Sequence, residues 1–211
     1  MRVVLISALK GGVGKTTITV GLARALARKG LTTGILDLDY RNSEVLIALK
    51  SDGNISPGRT RDDAIVPPVI DDISVFSMAF FWPKNKAVTV SDSDAVEDVK
   101  QLMTPGVIAW PELDWLVCDS PPTSAGVTVA ALASPDITGV LTITQPSSLS
   151  IAALLRTLDL FSEQQVPVYG IVSNQGLDDS WVRRYDLTDR DVETIAQEHC
   201  LPVFQAIPHS N

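Results

Sequence analysis

The chain has 211 residues, 45% of them hydrophobic and 20% charged, with 17 basic against 25 acidic side chains for a net charge of −8. That balance supports a folded chain, read here as one domain over 1–211, and it argues against a broad nucleic-acid footprint, which needs clustered Lys and Arg to neutralise phosphates. The apolar run after Met1 is too short for an export signal, and no stretch approaches the roughly 18 apolar residues of a membrane span, so a cytoplasmic protein without a membrane anchor is expected.

In chain order, Arg2 to Ser7 reads as a first buried strand, because short apolar runs rich in β-branched residues are what the middle of a parallel sheet requires. Lys15 to Lys29 reads as a helix: Ile18, Leu22 and Leu26 repeat at helical spacing, Arg28 and Lys29 fall in the last turn, and Gly30 closes it. Thr33 to Leu38 is the second strand. Lys50 to Asp72, with Gly53, Pro57, Gly58, Pro67 and Pro68, reads as a long surface loop. Further strands are expected at Ile73 to Met78, Trp115 to Cys118, Gly139 to Thr144, Val168 to Ser173 and Val203 to Ile207. Helices are expected at Ala95 to Met103, Thr128 to Ala133, Leu149 to Gln164 and Asp189 to His199, the last with Thr188 and Asp191 spaced as a capping box. The alternation of strand and helix gives an α/β fold: a three-layer, mostly parallel sheet of about seven strands flanked by helices.

Between the first strand and the first helix stands Lys10-Gly-Gly-Val-Gly-Lys-Thr-Thr17. A glycine-rich turn entering a helix presents successive backbone N–H groups to a phosphate, and the helix dipole favours the same charge. Gly11, Gly12, Val13, Gly14, Lys15, Thr16 and Thr17 form this candidate nucleotide loop, with Lys15 against the β- and γ-phosphates and the Thr16 hydroxyl as a ligand to Mg²⁺. The common motif wants Gly at position 9, where this chain has Leu9. The segment with its early Lys10 resembles the deviant Walker A signature of the MinD, ParA and Mrp ATPases. That resemblance implies a P-loop NTPase fold, ATP and ADP with Mg²⁺ as ligands, and a homodimer in the ATP state in which Lys10 reaches the partner's nucleotide.

Asp37 and Asp39 close the second strand, where alternate positions share a side, and ligands in open α/β sheets bind beyond the carboxyl ends of strands. Two carboxylates there are able to orient water or to hold Mg²⁺ through its waters, although aspartates also end strands for local reasons. The resemblance gives Asp39 the role of positioning the attacking water and leaves Asp37 as a metal-side carboxylate. Trp115-Leu-Val-Cys-Asp119 is an apolar strand ending in one acid, the layout of an element that holds Mg²⁺, so Asp119 joins Thr16 and Asp37 as a candidate metal residue. Asn174 ends another strand, where its amide is able to read an adenine edge. In the family an Asn here and the Pro of a strand-ending Ile-Pro, which falls on Pro208, lie near the base.

Ser120-Pro-Pro-Thr-Ser and Ile73-Ser-Val-Phe-Ser-Met-Ala-Phe-Phe are similar to Mrp segments, so the chain resembles a divergent Mrp-like protein. Cluster-carrying Mrp proteins use a Cys-x-x-Cys after Asn174. This chain has only Cys118 and Cys200, so no iron–sulfur cluster is expected. Family members also continue past Ile-Pro into further helix, whereas this chain stops at Asn211, which reads as a minimal or truncated form. The implied function is a slow Mg-ATPase whose dimer switch acts on a client protein or metal centre. The alternatives are a MinD- or ParA-like positioning ATPase and a nucleotide-binding domain with little hydrolysis.

Overall fold

The computed structural model describes residues 1–39, 43–51, 55–81, 90–121, 125–174 and 191–204. Strand β1 (Arg2–Ser7) leads through α1 (Lys15–Arg28) to β2 (Thr33–Asp37), and a one-turn α2 (Val45–Ala48) follows. Short strands β3 (Gly58–Arg59), β4 (Ile65–Val66) and β5 (Val69–Ile70) precede β6 (Ile73–Ser77), a 3₁₀ turn at Met78–Phe80 and α3 (Asp92–Leu102). The chain continues through β7 (Trp115–Asp119), α4 (Ala125–Leu132), β8 (Ile137–Thr144), α5 (Ser148–Glu163), β9 (Val168–Ser173), α6 (Val192–Glu198) and β10 (Val203–Phe204).

One eight-stranded sheet runs in the order β10-β9-β8-β1-β7-β2-β6-β5, parallel throughout except for the antiparallel edge pair β5 and β6. Alternate residues of its strands feed two cores. Val4, Ile6, Ile35 and Val117 pack with Ile18, Val20 and Ala23 of α1 on one face. Val3, Leu5, Leu36, Leu116 and Cys118 pack with α3, α4 and Phe161 of α5 on the other. A third cluster joins Ile151, Leu154 and Leu158 of α5 to Ile171 of β9 and to Val192 and Ile195 of α6. A fully buried Leu, Ile or Phe contributes about 1.5–3 kcal/mol, so these paired apolar faces fix the layer arrangement before any polar contact is counted.

The sheet order places β7 between β1 and β2. The register aligns Asp37 with Asp119 and with Ser77, and Ile6 with Asp119, at the carboxyl ends of adjacent parallel strands. Every parallel strand delivers its last residue to the same edge, and the loop after β1 opens onto that edge.

The structure departs from the sequence reading at three places. The stretch 50–72 is not only loop: β3 pairs with β4, and β5 lies along the edge of β6 directly after Pro67-Pro68. The one-turn helix α2 is too short to produce a periodic signal. Helix α6 is capped by Asp191 itself, whose Oδ1 accepts from Thr194 N at 2.7 Å, and Thr188 lies outside the described residues. The last expected strand is described as far as Phe204. Among the described residues no helix is long and apolar enough to cross a membrane.

Candidate nucleotide site

Gly14 is the N-cap of α1, at φ 95° and ψ 25°, and it offers no side chain to cap the helix. Gly12 also has positive φ, 74°. These left-handed conformations are open to glycine at little cost and turn the loop so that the first N–H groups of α1 are left for an external acceptor. An anion is the natural occupant of such an end.

Lys15, first residue of α1, is 7% exposed. Burial pulls its pKa below the ordinary lysine value, while the carboxylates of Asp119, Asp39 and Glu44 pull it back up. The charge is therefore held inside the site by acids arriving from three different elements.

Asp119 ends β7 at 1% exposure. Its Oδ2 accepts from Thr16 Oγ1 at 2.7 Å and its Oδ1 from Thr19 Oγ1 at 3.0 Å. Burial raises its pKa to about 6, against the lowering effect of the two threonine hydroxyls and Lys15. The pair Thr16–Asp119 puts a hydroxyl and a carboxylate oxygen side by side, a hard oxygen set of the kind Mg²⁺ takes.

Asp37, the other candidate metal carboxylate, ends β2 at 1% exposure. Its Oδ1 accepts from Asp39 N at 3.0 Å, and its Oδ2 accepts from Ser43 Oγ and, at 2.9 Å, from Ser77 Oγ. Both oxygens are committed to protein donors, and burial with the neighbouring Asp119 charge raises its pKa to about 7 despite those hydrogen bonds. Asp37 is thus a buried, serine-caged carboxyl, one strand over from the Thr16–Asp119 pair. Asp39 lies past the end of β2, half-buried, and its charge acts on both Lys15 and Asp119.

Lys10 is half-buried, and its Nζ donates to Ser150 Oγ at 2.7 Å. Asn174, 6% exposed just after β9, donates from Nδ2 to Val13 O at 2.8 Å, so its amide lies against the phosphate loop. Gln145 Nε2 donates to Gly12 O at 3.3 Å. Gly11 and Thr17 are exposed on the loop and the first turn of α1. Pro208 lies outside the described residues.

Sequence reading missed Thr19, Ser43, Ser77, Gln145 and Ser150. Thr19 was legible, since it follows Thr16 by one helical turn and must face the same way. The others reach their partners from distant elements and left no local signal. Cys118 is buried in the core, its thiol pushed up by burial and the Asp119 charge, while Cys200 is exposed. Among the described residues no group of three or more His, Cys, Asp or Glu is placed to hold a metal ion.

A family model described as ParA, the NUBPL iron-transfer P-loop NTPases, matches residues 1–210. The chain belongs to this family. Among its relatives, an iron-sulfur cluster carrier protein of Rickettsia felis is 27% identical over 207 residues, covering 98% of this chain and 61% of the relative. A protein of the same name from Deinococcus radiodurans is 31% identical over 173 residues, covering 82% of this chain and 49% of its own length. The chain thus spans less than two thirds of the length of these relatives. The fold is shared with a nucleotide-binding protein of Archaeoglobus fulgidus in complex with ADP, at TM-score 0.77 and 22% identity, covering all of this chain and 82% of that one. It is shared also with the septum site-determining protein MinD of Pyrococcus horikoshii complexed with Mg-ADP, at TM-score 0.66 and 18% identity, covering 99% of this chain and 82% of that one. The mostly parallel central sheet with its flanking helices is the architecture expected from the sequence.

Proposed function

We propose that the chain binds and slowly hydrolyses Mg-ATP, and that the bound nucleotide switches a homodimer that acts on a client protein or metal centre. The observation that carries this reading is the 2.7 Å contact between Thr16 and Asp119 beside the buried Lys15, at the head of a helix whose first N–H groups lack side-chain caps.

In this reading the amides of the loop from Gly11 to Thr17 hold the phosphate oxygens, and Lys15 neutralises charge at the β–γ bridge. Thr16 and Asp119 would hold Mg²⁺, which supplies charge neutralisation to the phosphates. Asp39 orients the attacking water, and Lys10 leaves Ser150 to reach the phosphates of a second subunit. Asp37 supports Asp39 through the hydrogen bond from Asp39 N. Asn174 takes the base-side role that the family resemblance implies, and the same role is carried over to Pro208.

The relatives' name points to iron–sulfur clusters as the cargo of the switch. For a cluster held by this chain itself the fit is poor: Cys118 is buried and held as thiol, which leaves Cys200 as the one exposed cysteine among the described residues. Anaerobic preparations should therefore carry less than stoichiometric iron and sulfide. A brown, iron-rich protein that loses colour on Cys200→Ser would overturn this part.

Calorimetry with Mg-ATP, Mg-ADP and Mg-GTP tests the nucleotide reading. The adenine forms should bind more tightly, and Lys15→Ala should abolish binding. Tighter binding of Mg-GTP, or full binding by Lys15→Ala, contradicts it.

A further inference from the structure

The turn that aims N–H groups outward from the phosphate loop also aims carbonyl groups inward, and an inward carbonyl in a dry site needs a donor. Val13 is 1% exposed and stands between Gly12 and Gly14, both at positive φ. Its carbonyl takes its donor from Asn174, whose Nδ2 lies 2.8 Å away. Asn174 is itself fixed, since its backbone N donates to Thr144 O at 2.8 Å, next to the end of β8. A Cβ built on Gly14 would collide with this same Nδ2, so loop and amide pack with no room between them. At the exposed side of the loop Gln145 adds a longer contact, donating to Gly12 O at 3.3 Å. Two side-chain amides, one after β8 and one after β9, thus take two successive carbonyls of the loop.

We propose that Asn174 is a positioning residue for the phosphate loop, holding it in its phosphate-binding shape whether or not a base is present, with Gln145 as the lesser brace. This rests on the nucleotide reading above and deepens it: the residue expected to read the base also sets affinity for the phosphates. The donor is the part that matters. Asn174→Asp keeps shape and volume but turns a carboxylate oxygen toward Val13 O, replacing attraction by repulsion.

The test titrates the parent, Asn174→Asp, Asn174→Ala and Gln145→Ala with Mg-ATP and with Mg-tripolyphosphate, which has no base. Thermal unfolding of each variant verifies that it is folded. Loss of a buried hydrogen bond is expected to weaken both ligands by the same factor, about tenfold or more for the Asn174 variants and less for Gln145→Ala. If the Asn174 variants weaken Mg-ATP and leave tripolyphosphate at the parental affinity, Asn174 acts on the base alone and the proposal is overturned. Should Asn174→Ala fail to fold, the isosteric Asn174→Asp and the half-buried Gln145→Ala carry the same comparison. A parent that binds neither ligand overturns the nucleotide reading itself, an outcome distinct from the selective loss.

Discussion

Lys10 Nζ donates a 2.7 Å hydrogen bond to Ser150 Oγ, so the lysine that the proposed dimer mechanism would send to the neighbouring subunit is held by helix α5 of its own chain. Ser150 is buried, and its hydroxyl lies 2.8 Å from that of Ser147, the N-cap of the helix. The tether and the reach across a dimer are alternatives for one ammonium group.

Cutting the tether should favour the dimer. A hydrogen bond to a charged group nets about 1.5–3 kcal/mol and each dimer would break two of them, so Ser150→Ala is expected to lower the protein concentration at which the Mg-ATP dimer forms by at least roughly a hundredfold. Sedimentation at graded concentrations measures this. A dimer that forms only at higher concentration than the parent's would show that Ser150 supports the assembled state instead.

Asp119→Asn should remove the response to magnesium. The substituted amide no longer offers two acceptor oxygens to Thr16 and Thr19 and carries no charge for the cation. Phosphate release is expected to fall at least about a hundredfold, and added Mg²⁺ should no longer tighten nucleotide binding. Retained magnesium dependence would place the metal elsewhere.

Without nucleotide or Mg²⁺ the fold should lose stability as pH rises. The pKa values of Asp37 and Asp119 are raised from 3.8 to about 7 and about 6, because burial disfavours their charged forms. The folded chain then binds protons more tightly than the unfolded chain. Their stabilising contribution is full below the ordinary carboxylate pKa and is lost as pH climbs through the raised values. Thermal unfolding should occur at a higher temperature near about pH 5 than near about pH 8, and Asp37→Asn should flatten the upper part of that slope. A parent that gains stability over this range contradicts the account.

Much of this architecture was legible because buried parallel strands must be apolar on both faces, and the β-branched runs at Arg2–Ser7, Thr33–Asp37 and Ile73–Ser77 satisfy that within short stretches. The two-residue β5 was not legible: an antiparallel edge pair needs no second apolar face, and Pro67-Pro68 beside it reads as loop. At the candidate site, the glycine turn ahead of α1 and the place of Asp119 at the end of β7 were legible from local pattern, since both lie within one short stretch of chain. The cage around Asp37 was not, because Ser43 lies past the end of β2 and Ser77 reaches Asp37 only through the β2–β6 register. The same holds for Asn174 and Val13, brought together by the order of β1, β8 and β9.

Thr142 offers a test of the core. It is fully buried, and its Oγ1 has no hydrogen-bond partner among the described residues; its register neighbour Ser7 on β1 is in the same condition. Thr142→Val replaces the hydroxyl by a methyl group of similar shape and should stabilise the fold by about 1 kcal/mol. A loss of similar size on thermal unfolding would place an ordered water at the hydroxyl.

The switch itself is tested most directly by molar mass. Asp39→Ala removes the proposed water-orienting carboxylate and leaves the phosphate loop intact, so ATP should bind and persist. Light scattering of this variant in Mg-ATP should give twice the single-chain mass. The same protein in Mg-ADP, and Lys10→Ala in Mg-ATP, should give the single-chain mass. If Asp39→Ala and the parent both keep the single-chain mass at saturating Mg-ATP, the nucleotide-switched homodimer is contradicted.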